Sequence, residues 1–364
     1  MVSPRLILSV LLVFSCLVSS RASEPLDLGA GRQPQVAISA AGEIVVTFGR
    51  DNSIYFTKST DGSNTFSPAS RVAQPKFTPL GMRRGPRIAA TKDAIVIAAV
   101  VGETGGGKDG DVVAWRTTDG GATWKQSKAI NHIAASAREG LIGIAADDES
   151  RVFITWLDLR SRKTEIFGAL STDGGKSFFD DVLIYRSPDG HVCECCHPSA
   201  AFDGKGNLYV MFRNWLDGNR DMYIARSRDN GRSFDGATKL GQGSWKLNAC
   251  PMDGGGIAVE DGEVSTTWQR NGEIFVTGIT GQERLVGDGK QPVIGGSLIA
   301  WIDKQNRLIT CSASQGSPIP GPTEAAFPTV SSRGRVTALA WEANGHCFVQ
   351  RCDPAATHKQ AAAQ

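Results

Sequence analysis

Short apolar runs, separated by turn residues, recur along the whole chain and predict an all-β fold. The runs are rich in β-branched and aromatic side chains, as in residues 43–48, 94–98 and 152–156. Gly, Asp and Asn cluster between them, which is typical of strands joined by tight turns. Because no amphipathic helix of useful length is evident, we expect a succession of hairpins and no helical layer.

The runs group into units that share one internal order. Each unit opens with a short strand next to a Pro or Gly and continues with a turn and further strands. The openings lie at residues 33–37, 85–89, 141–145, 197–200, 255–259, 292–294 and 327–330. A repeat of this size predicts a closed array such as a β-propeller, here with seven blades. The last unit lacks an outer strand, which residues 26–28 could supply, so that the two ends of the chain would close the ring.

Four of the turns carry the same short motif, in which a Ser or Thr precedes an Asp by two residues and an aromatic residue follows. The copies span residues 59–66, 117–124, 171–178 and 227–234, and their carboxylates are Asp61, Asp119, Asp173 and Asp229. A short acceptor carboxylate and a glycine free to adopt positive φ suit a tight hairpin turn. The first copy has Ser63 at the glycine position.

This motif resembles the Asp-box (BNR) repeat of the sialidase superfamily. The resemblance implies a β-propeller in which the box joins the third and fourth strands of a blade. It also makes six blades the alternative to seven, since sialidases have six. For function it implies a glycan ligand, an exo-acting glycoside hydrolase, three arginines on the substrate carboxylate and a late-blade Tyr nucleophile. No tyrosine follows Tyr223 here, so we expect the usual sialidase mechanism to be absent.

Composition and charge narrow the class of protein. The chain has 364 residues, of which 41% are hydrophobic and 21% charged, as in ordinary globular proteins. A net charge of +2 gives no reason to expect a nucleic-acid partner or a polybasic membrane anchor. After the amino terminus, no apolar run is long enough for a membrane helix.

The amino terminus has the pattern of a secretory signal. Arg5 precedes an apolar run over residues 6–18, and small residues follow up to Ser23. We therefore predict a signal peptide over residues 1–23, one propeller domain over 24–353 and a disordered tail over 354–364. The protein would be secreted or periplasmic, and lipid anchoring through Cys16 is the less favoured alternative.

Residues just before each innermost strand of a propeller share one mouth of the central channel. The basic side chains at these positions are Arg32, Arg84, Arg87, Arg138 and Lys290. Together they predict a pocket for an anionic sugar, although each could instead be a solvated rim residue. Glu139 and Asp253 are carboxylates at the same level, so they are the candidate catalytic pair for a two-carboxylate hydrolysis.

A cysteine cluster occupies the same level in two neighbouring units. Its members are Cys193, Cys195, Cys196 and His197, with Cys250 and Met252 one unit later. Three interpretations are open besides a free thiol. A disulfide from Cys196 to Cys250 is the default in a secreted chain, and a Cys195–Cys196 disulfide is the second. The third is a copper or zinc site, because thiolate, imidazole and thioether suit soft metals. No cofactor is otherwise expected.

Two functions from different classes fit these observations. The first is a propeller that engages glycans at the channel mouth, with glycosidase activity as an extension. The second is a non-catalytic binding scaffold for a protein partner, which the missing late tyrosine favours.

Overall fold

A computed structural model describes residues 23–314 and 317–352 of the chain. The expected signal peptide up to residue 22, Cys16 and the tail from residue 354 lie outside the described residues, so those predictions stay predictions. In the described part, no helix has the length and apolar character needed to cross a bilayer.

Seven four-stranded antiparallel sheets form a closed ring, so the predicted seven-bladed propeller is confirmed and the six-bladed alternative is excluded. Blade 1 contains β2 (Arg32–Ile38), β3 (Ile44–Arg50), β4 (Ser53–Ser59) and β5 (Ser70–Ala73). Blade 2 contains β6 (Arg87–Ala90), β7 (Ile95–Val101), β8 (Asp111–Thr117) and β9 (Lys125–Gln126). Blade 3 contains β10 (Ile142–Ala146), β11 (Val152–Asp158), β12 (Glu165–Ser171) and β13 (Val182–Tyr185). Blade 4 contains β14 (Ser199–Phe202), β15 (Leu208–Arg213), β16 (Met222–Ser227) and β17 (Ala237–Lys239).

The remaining blades follow the same order. Blade 5 contains β18 (Gly256–Glu260), β19 (Glu263–Arg270), β20 (Glu273–Thr277) and β21 (Arg284–Asp288). Blade 6 contains β22 (Lys290–Gly295), β23 (Leu298–Ile302), β24 (Leu308–Ser312) and β25 (Ile319–Pro320). Blade 7 contains β26 (Ala325–Arg333), β27 (Val336–Ala343), β28 (His346–Cys352) and, as its outer strand, β1 (Leu26–Ala30).

Blade 7 joins the two ends of the described chain. β1 pairs antiparallel with β28, with Leu26 opposite Val349 and Asp27 opposite Phe348. The amino-terminal strand thus covers the edge that β28 would otherwise expose, as the sequence predicted. Closure of this kind removes a free sheet edge and ties the ring together.

Apolar side chains between neighbouring blades form the core. Tryptophans on the second strands of blades 3, 5, 6 and 7 are buried, namely Trp156, Trp268, Trp301 and Trp341. Their recurrence near the ends of second strands has a packing reason, since in each of these four blades the indole fills the space against the preceding blade.

The four repeated turns connect the third and fourth strands of blades 1 to 4. In the third copy, Asp173 Oδ1 accepts hydrogen bonds from Ser171 Oγ (2.8 Å) and from the amides of Lys176 (3.0 Å) and Ser177 (2.9 Å). Asp173 Oδ2 accepts from Ser177 Oγ (2.5 Å). Asp61, Asp119 and Asp229 are bound in the same way by the residues that follow them. Each carboxylate therefore organises its own turn.

The first copy keeps this geometry without its glycine. Ser63 adopts a φ of 83°, and its amide donates to Ser59 Oγ at 2.9 Å. Hydrogen bonds from Thr65 and Ser59 lower the pKa of Asp61 to about 2. The turn thus keeps its hydrogen bonds to the carboxylate with a serine at positive φ.

Candidate functional site

The innermost strands of all seven blades line a central channel of about 950 Å³. Its two ends differ. The turn end, formed by the turns between first and second strands, carries exposed charges such as Asp148 and Lys205. The entry end, formed by the residues that lead into the innermost strands, is closed by the buried side chains of Arg83, Arg87 and His197.

Arg83 crosses the entry end from blade 2 to the opposite blades. Its Nη1 donates to the Pro328 carbonyl and its Nη2 to the Gln291 carbonyl, both at 2.8 Å. Burial lowers the pKa of Arg83 to about 10, and the nearby Asp253 opposes this shift. The guanidinium therefore remains a cation at neutral pH and links three blades through neutral carbonyls.

Arg87 and His197 add to the basic character of this end. Arg87 Nε donates to the Ile142 carbonyl at 3.2 Å, and burial together with the charge of Arg83 lowers the pKa of Arg87 to about 9. Burial, with the two arginines, holds the pKa of His197 well below its usual value, so its imidazole is neutral. Among the described residues, Arg83 Nε, Arg87 Nη1 and His197 Nδ1 have no hydrogen-bond partner. The entry end of the channel therefore contains several buried nitrogen atoms without a hydrogen-bond partner among the described residues.

Asp253 lies in a hydrogen-bonded relay that ties blades 5, 6 and 7 together. Its Oδ2 accepts from the Gln291 amide at 2.6 Å and its Oδ1 from the Gly255 amide at 3.3 Å. Gln291 Oε1 in turn accepts from the Phe327 amide at 2.7 Å. Both Gln291 and Phe327 have positive φ, at 59° and 50°, which positions their amides for this relay. Asp253 is only 2% exposed, so its observed role is structural.

Glu139 and two arginines form a separate group on the outer side of the entry end, here called the entry face. Arg84 Nε donates to the Glu139 carbonyl at 2.6 Å, and Arg84 Nη2 lies 3.6 Å from Glu139 Oε2. Burial raises the pKa of Glu139, Arg84 opposes this, and the charge of Glu194 raises it further. Arg138 is half-buried beside Glu139 and makes no hydrogen bond or ion pair with the described residues. The entry face thus combines a carboxylic acid with a raised pKa and an unused guanidinium.

The five basic residues that the sequence predicted to form one pocket lie in different places in the structure. Arg87 lies inside the channel, whereas Arg84 and Arg138 lie beside Glu139. Arg32 is exposed and faces Glu342 at 3.5 Å, and the exposed Lys290 Nζ donates to Asn306 Oδ1 at 3.1 Å. The five residues therefore do not form one pocket.

The cysteine cluster lies between blades 4 and 5. The Sγ atoms of Cys193 and Cys196 are 3.3 Å apart, those of Cys193 and Cys195 3.6 Å, and those of Cys195 and Cys196 4.0 Å. All three are buried thiols. Met252 packs against them, and Cys250 is an exposed thiol near Cys195.

The other predicted member of the cluster lies elsewhere. The side chain of His197 lines the channel and is not part of the sulfur group. The suggested disulfides from Cys196 to Cys250 and from Cys195 to Cys196 stay predictions.

Two arginines of blade 4 surround the three thiols. Arg220 Nη1 donates to Cys193 Sγ at 3.1 Å, and the Arg213 carbonyl accepts from the Cys193 amide at 3.0 Å. Hydrogen bonding with Cys195 and Cys196 lowers the pKa of Cys193, and the charges of Arg213 and Arg220 lower it further. This environment stabilises a thiolate at Cys193, whereas hydrogen bonding to Cys193 raises the pKa of Cys195 and burial raises that of Cys196.

Sequence reasoning missed several residues of these groups. They are Arg83, Glu194, Arg213 and Arg220. A signal existed for two of them, because Arg83 directly precedes a predicted entry residue and Glu194 lies within the cysteine stretch. Arg213 follows five residues of an apolar strand, where a charge is unusual, but nothing in the sequence says which group it faces.

The tyrosines are all in the blades and not at the channel. Tyr55, Tyr185, Tyr209 and Tyr223 lie on second, third or outer strands, and none of them lines the channel. Tyr185 Oη accepts from Asn214 Nδ2 at 3.1 Å. No tyrosine therefore lines the channel, and none lies beyond blade 4.

No protein-family model and no curated protein sequence matches this chain. Solved structures do. A protein of unknown function from Dyadobacter fermentans superposes with a TM-score of 0.54 at 16% identity, covering 92% of this chain and 98% of that one. An α-L-arabinanase of Penicillium chrysogenum, solved with arabinobiose, gives 0.57 at 12% identity, with 92% and 98% covered.

A leech intramolecular trans-sialidase, solved with 2,7-anhydro-Neu5Ac, gives a TM-score of 0.56 at 11% identity, covering 94% of this chain and 72% of that one. At these identities the likeness concerns the fold. Solved structures that share the β-propeller architecture of this chain thus include glycan-acting proteins, among them an arabinanase and a trans-sialidase.

Proposed function

We propose that this chain binds an anionic carbohydrate at the entry face and hydrolyses its glycosidic bond, with Glu139 as the general acid. The observation that carries the proposal is the pairing of Glu139, whose pKa is raised, with an unused, half-buried Arg138. Similarity of fold to glycoside hydrolase propellers supports the substrate class.

Glu139 has the environment that a general acid requires. A general acid must hold its proton at the working pH, and burial of the Glu139 side chain favours the protonated form. Arg84 hydrogen-bonds to the Glu139 carbonyl and lies near the Glu139 carboxylate, so it orients the side chain. The charge of Arg84 opposes the rise in the pKa of Glu139 but does not cancel it. The proton would pass from Glu139 to the oxygen of the leaving group.

Glu194 is the second carboxylate of the proposed pair. Its charge raises the pKa of Glu139, and Glu194 is half-buried with no hydrogen bond or ion pair to the described residues. It would act either as nucleophile or as base toward water, depending on the separation of the two carboxyl groups. We assign this role to Glu194 rather than Asp253, because both Asp253 oxygens accept main-chain hydrogen bonds.

Arg138 supplies the proposed contact with a sugar carboxylate. A guanidinium binds a carboxylate through two parallel hydrogen bonds, and Arg138 has no competing partner in the described chain. An uncharged sugar would gain nothing from this contact, so Arg138 predicts preference for acidic glycans.

Fluorogenic glycosides, including sialosides, uronides and arabinosides, test the proposal. We expect Glu139→Gln to lower kcat by roughly 10²–10⁴-fold, because proton transfer to the leaving group is lost. In the unsubstituted protein kcat should fall as pH rises through the pKa of Glu139, since the acid form is required. Glu149→Gln is the matched control, because this carboxylate is 66% exposed and lies between β10 and β11, at the turn end of the channel.

Three results would contradict this assignment. They are absence of turnover for every glycoside, full activity of Glu139→Gln, and an Arg138→Met variant with an unchanged KM for acidic substrates. Glycan binding without turnover would contradict the proposed hydrolysis but would agree with the proposed binding site.

The absence of a suitably placed tyrosine favours a second candidate, a non-catalytic scaffold for a protein partner. It predicts recovery of one specific partner in pull-downs, and that Arg84, Arg87 and Arg138 can be replaced together without losing it. Dependence of partner capture on these arginines would contradict this candidate.

We also propose that the protein acts outside the cytoplasm, on the strength of the signal-like pattern over residues 1–23. Cell fractionation and the mass of the mature amino terminus test this. A full-length cytoplasmic protein would contradict it.

A further inference from the structure

We propose that Cys193, Cys195 and Cys196 form a three-coordinate thiolate site for Cu(I). The site does not rest on the proposed glycan hydrolysis, because its three sulfurs are buried and none of them is assigned a role in that reaction. The argument rests on sulfur geometry, on the charges around the sulfurs and on the kinds of ligand present.

The three sulfurs converge on one point. Their separations are 3.3, 3.6 and 4.0 Å, so all three pairs are similarly close. Sulfur ligands about 2.3 Å from one metal ion in a plane would be about 4 Å apart. A single ion fits between the sulfurs after small rotations of the side chains.

A disulfide explains this arrangement less well. It would bring two sulfurs to about 2.05 Å and leave the third without a role. The third thiol would also remain in the same buried cluster, although nothing in a bridge between two cysteines requires it there.

Charge compensation is the second argument. Arg213 and Arg220 are 1% and 4% exposed, and neither forms an ion pair with a carboxylate in the described residues. All three guanidinium nitrogens of Arg213 donate to neutral carbonyls, those of Asp253, Arg220 and Gln269. Arg220 donates to Cys193 Sγ and lies over the Trp215 ring, at 4.3 Å from its centroid. Negative charge close to these guanidiniums would offset part of the cost of burying them.

The charge balance favours a monovalent metal. Three thiolates around one Cu(I) carry two negative charges, which the guanidiniums of Arg213 and Arg220 match. A neutral disulfide would leave both cations uncompensated, and a divalent ion would leave one.

The ligand set is the third argument. Thiolates with a neighbouring thioether select Cu(I), and Met252 packs against the three sulfurs. Structural zinc sites are almost always four-coordinate. Cys250, the nearest candidate for a fourth ligand, hydrogen-bonds to Cys195 but is exposed and outside the group of three converging sulfurs. The surroundings therefore suit a soft ion of low coordination number.

Anaerobic titration of the reduced full chain with Cu(I), in competition with bicinchoninate, tests the site. We expect one equivalent of Cu(I) and, by X-ray absorption, sulfur ligands only. Cys195→Ser should abolish stoichiometric binding. Cys347→Ala is the matched control, because Cys347 is also fully buried but packs between blades 7 and 1, and it should bind normally.

Arg220→Leu is a second variant that leaves every sulfur in place. We expect it to weaken Cu(I) binding by about 10–100-fold, as loss of a group that hydrogen-bonds a ligand does, and Arg220→Lys to weaken it less. Circular dichroism before titration verifies that each variant is folded.

Unchanged Cu(I) affinity in Cys195→Ser, or absence of stoichiometric Cu(I) in the reduced protein, would overturn the proposal. Zn²⁺ that remains bound in the presence of equimolar Cu(I) would overturn the assignment of the metal. Glycoside turnover is not a readout in this experiment, so failure of the copper site and failure of the glycosidase proposal are distinguishable.

Discussion

The Asp turns and the entry end both surround charged side chains with hydrogen bonds, but over very different distances along the chain. Every partner of Asp173 lies within four residues of it. The carbonyls that accept from Arg83 belong to Pro328 and Gln291, which are 245 and 208 residues away. The turns are local modules, whereas the entry end exists only when the ring has closed.

Solvent exposure separates the two regions as well. Asp173 is exposed, so water can replace part of what its turn supplies. Arg83 and Asp253 are 3% and 2% exposed, and an unpartnered charge there has no such replacement. The entry end should therefore be far more sensitive to substitution than the turns.

The largest effect is expected for Asp253→Ala. It removes the acceptor of the Gln291 amide and the carboxylate nearest to buried Arg83, so we expect a loss of about 3–5 kcal/mol in the free energy of unfolding. Urea unfolding measures it. Asp235→Ala, at a carboxylate with a side chain 62% exposed, is the control and should change stability by less than about 0.5 kcal/mol. Equal losses of stability in the two variants would contradict the expectation that a buried carboxylate at the entry end matters more than an exposed one.

A smaller loss of stability is expected when the carboxylate of one Asp turn is removed. Asp173→Ala removes the acceptor of four local hydrogen bonds, and we expect a loss of about 1–2 kcal/mol because the turn is exposed to water. Asp173→Asn, which keeps one carbonyl acceptor, should lose less. A loss as large as that of Asp253→Ala would show that the turns are coupled to ring closure.

The smallest effect is expected in the response of the turns to acid. At Asp229 burial opposes ionisation, but hydrogen bonds from Ser233 and Ser227 lower its pKa to about 2. Because an unfolded Asp has a pKa of about 3.9, this carboxylate stabilises the fold above that pH. Its contribution is lost as pH falls toward about 2. The free energies of unfolding of the unsubstituted chain and of Asp229→Asn should therefore become more similar as pH falls from about 3.9 to about 2. A difference that stays constant with pH would contradict the lowered pKa of Asp229.

Much of the fold could be predicted because its signals are local. Strand alternation, turn residues and the repeated Asp motif act within a few residues, and the period of the units implies a closed ring. The closing role of residues 26–28 followed from counting strands, and β1 pairs with β28 as expected. What the sequence by itself determined is therefore the blade and the way the ring closes, whereas the structure decided between seven blades and six.

The tertiary structure alone decided how the entry residues are used. Arg87 and Lys290 occupy comparable positions in the repeat, yet one lies in the channel and the other on the rim. The register shift between Lys290 and Val293, with Gln291 at positive φ, redirects the side chains at that entry. Likewise, the guanidinium of Arg220 reaches Cys193 only through the packed blade 4. Side-chain direction and distant partners depend on backbone geometry that no short pattern encodes, because they are set by contacts between blades.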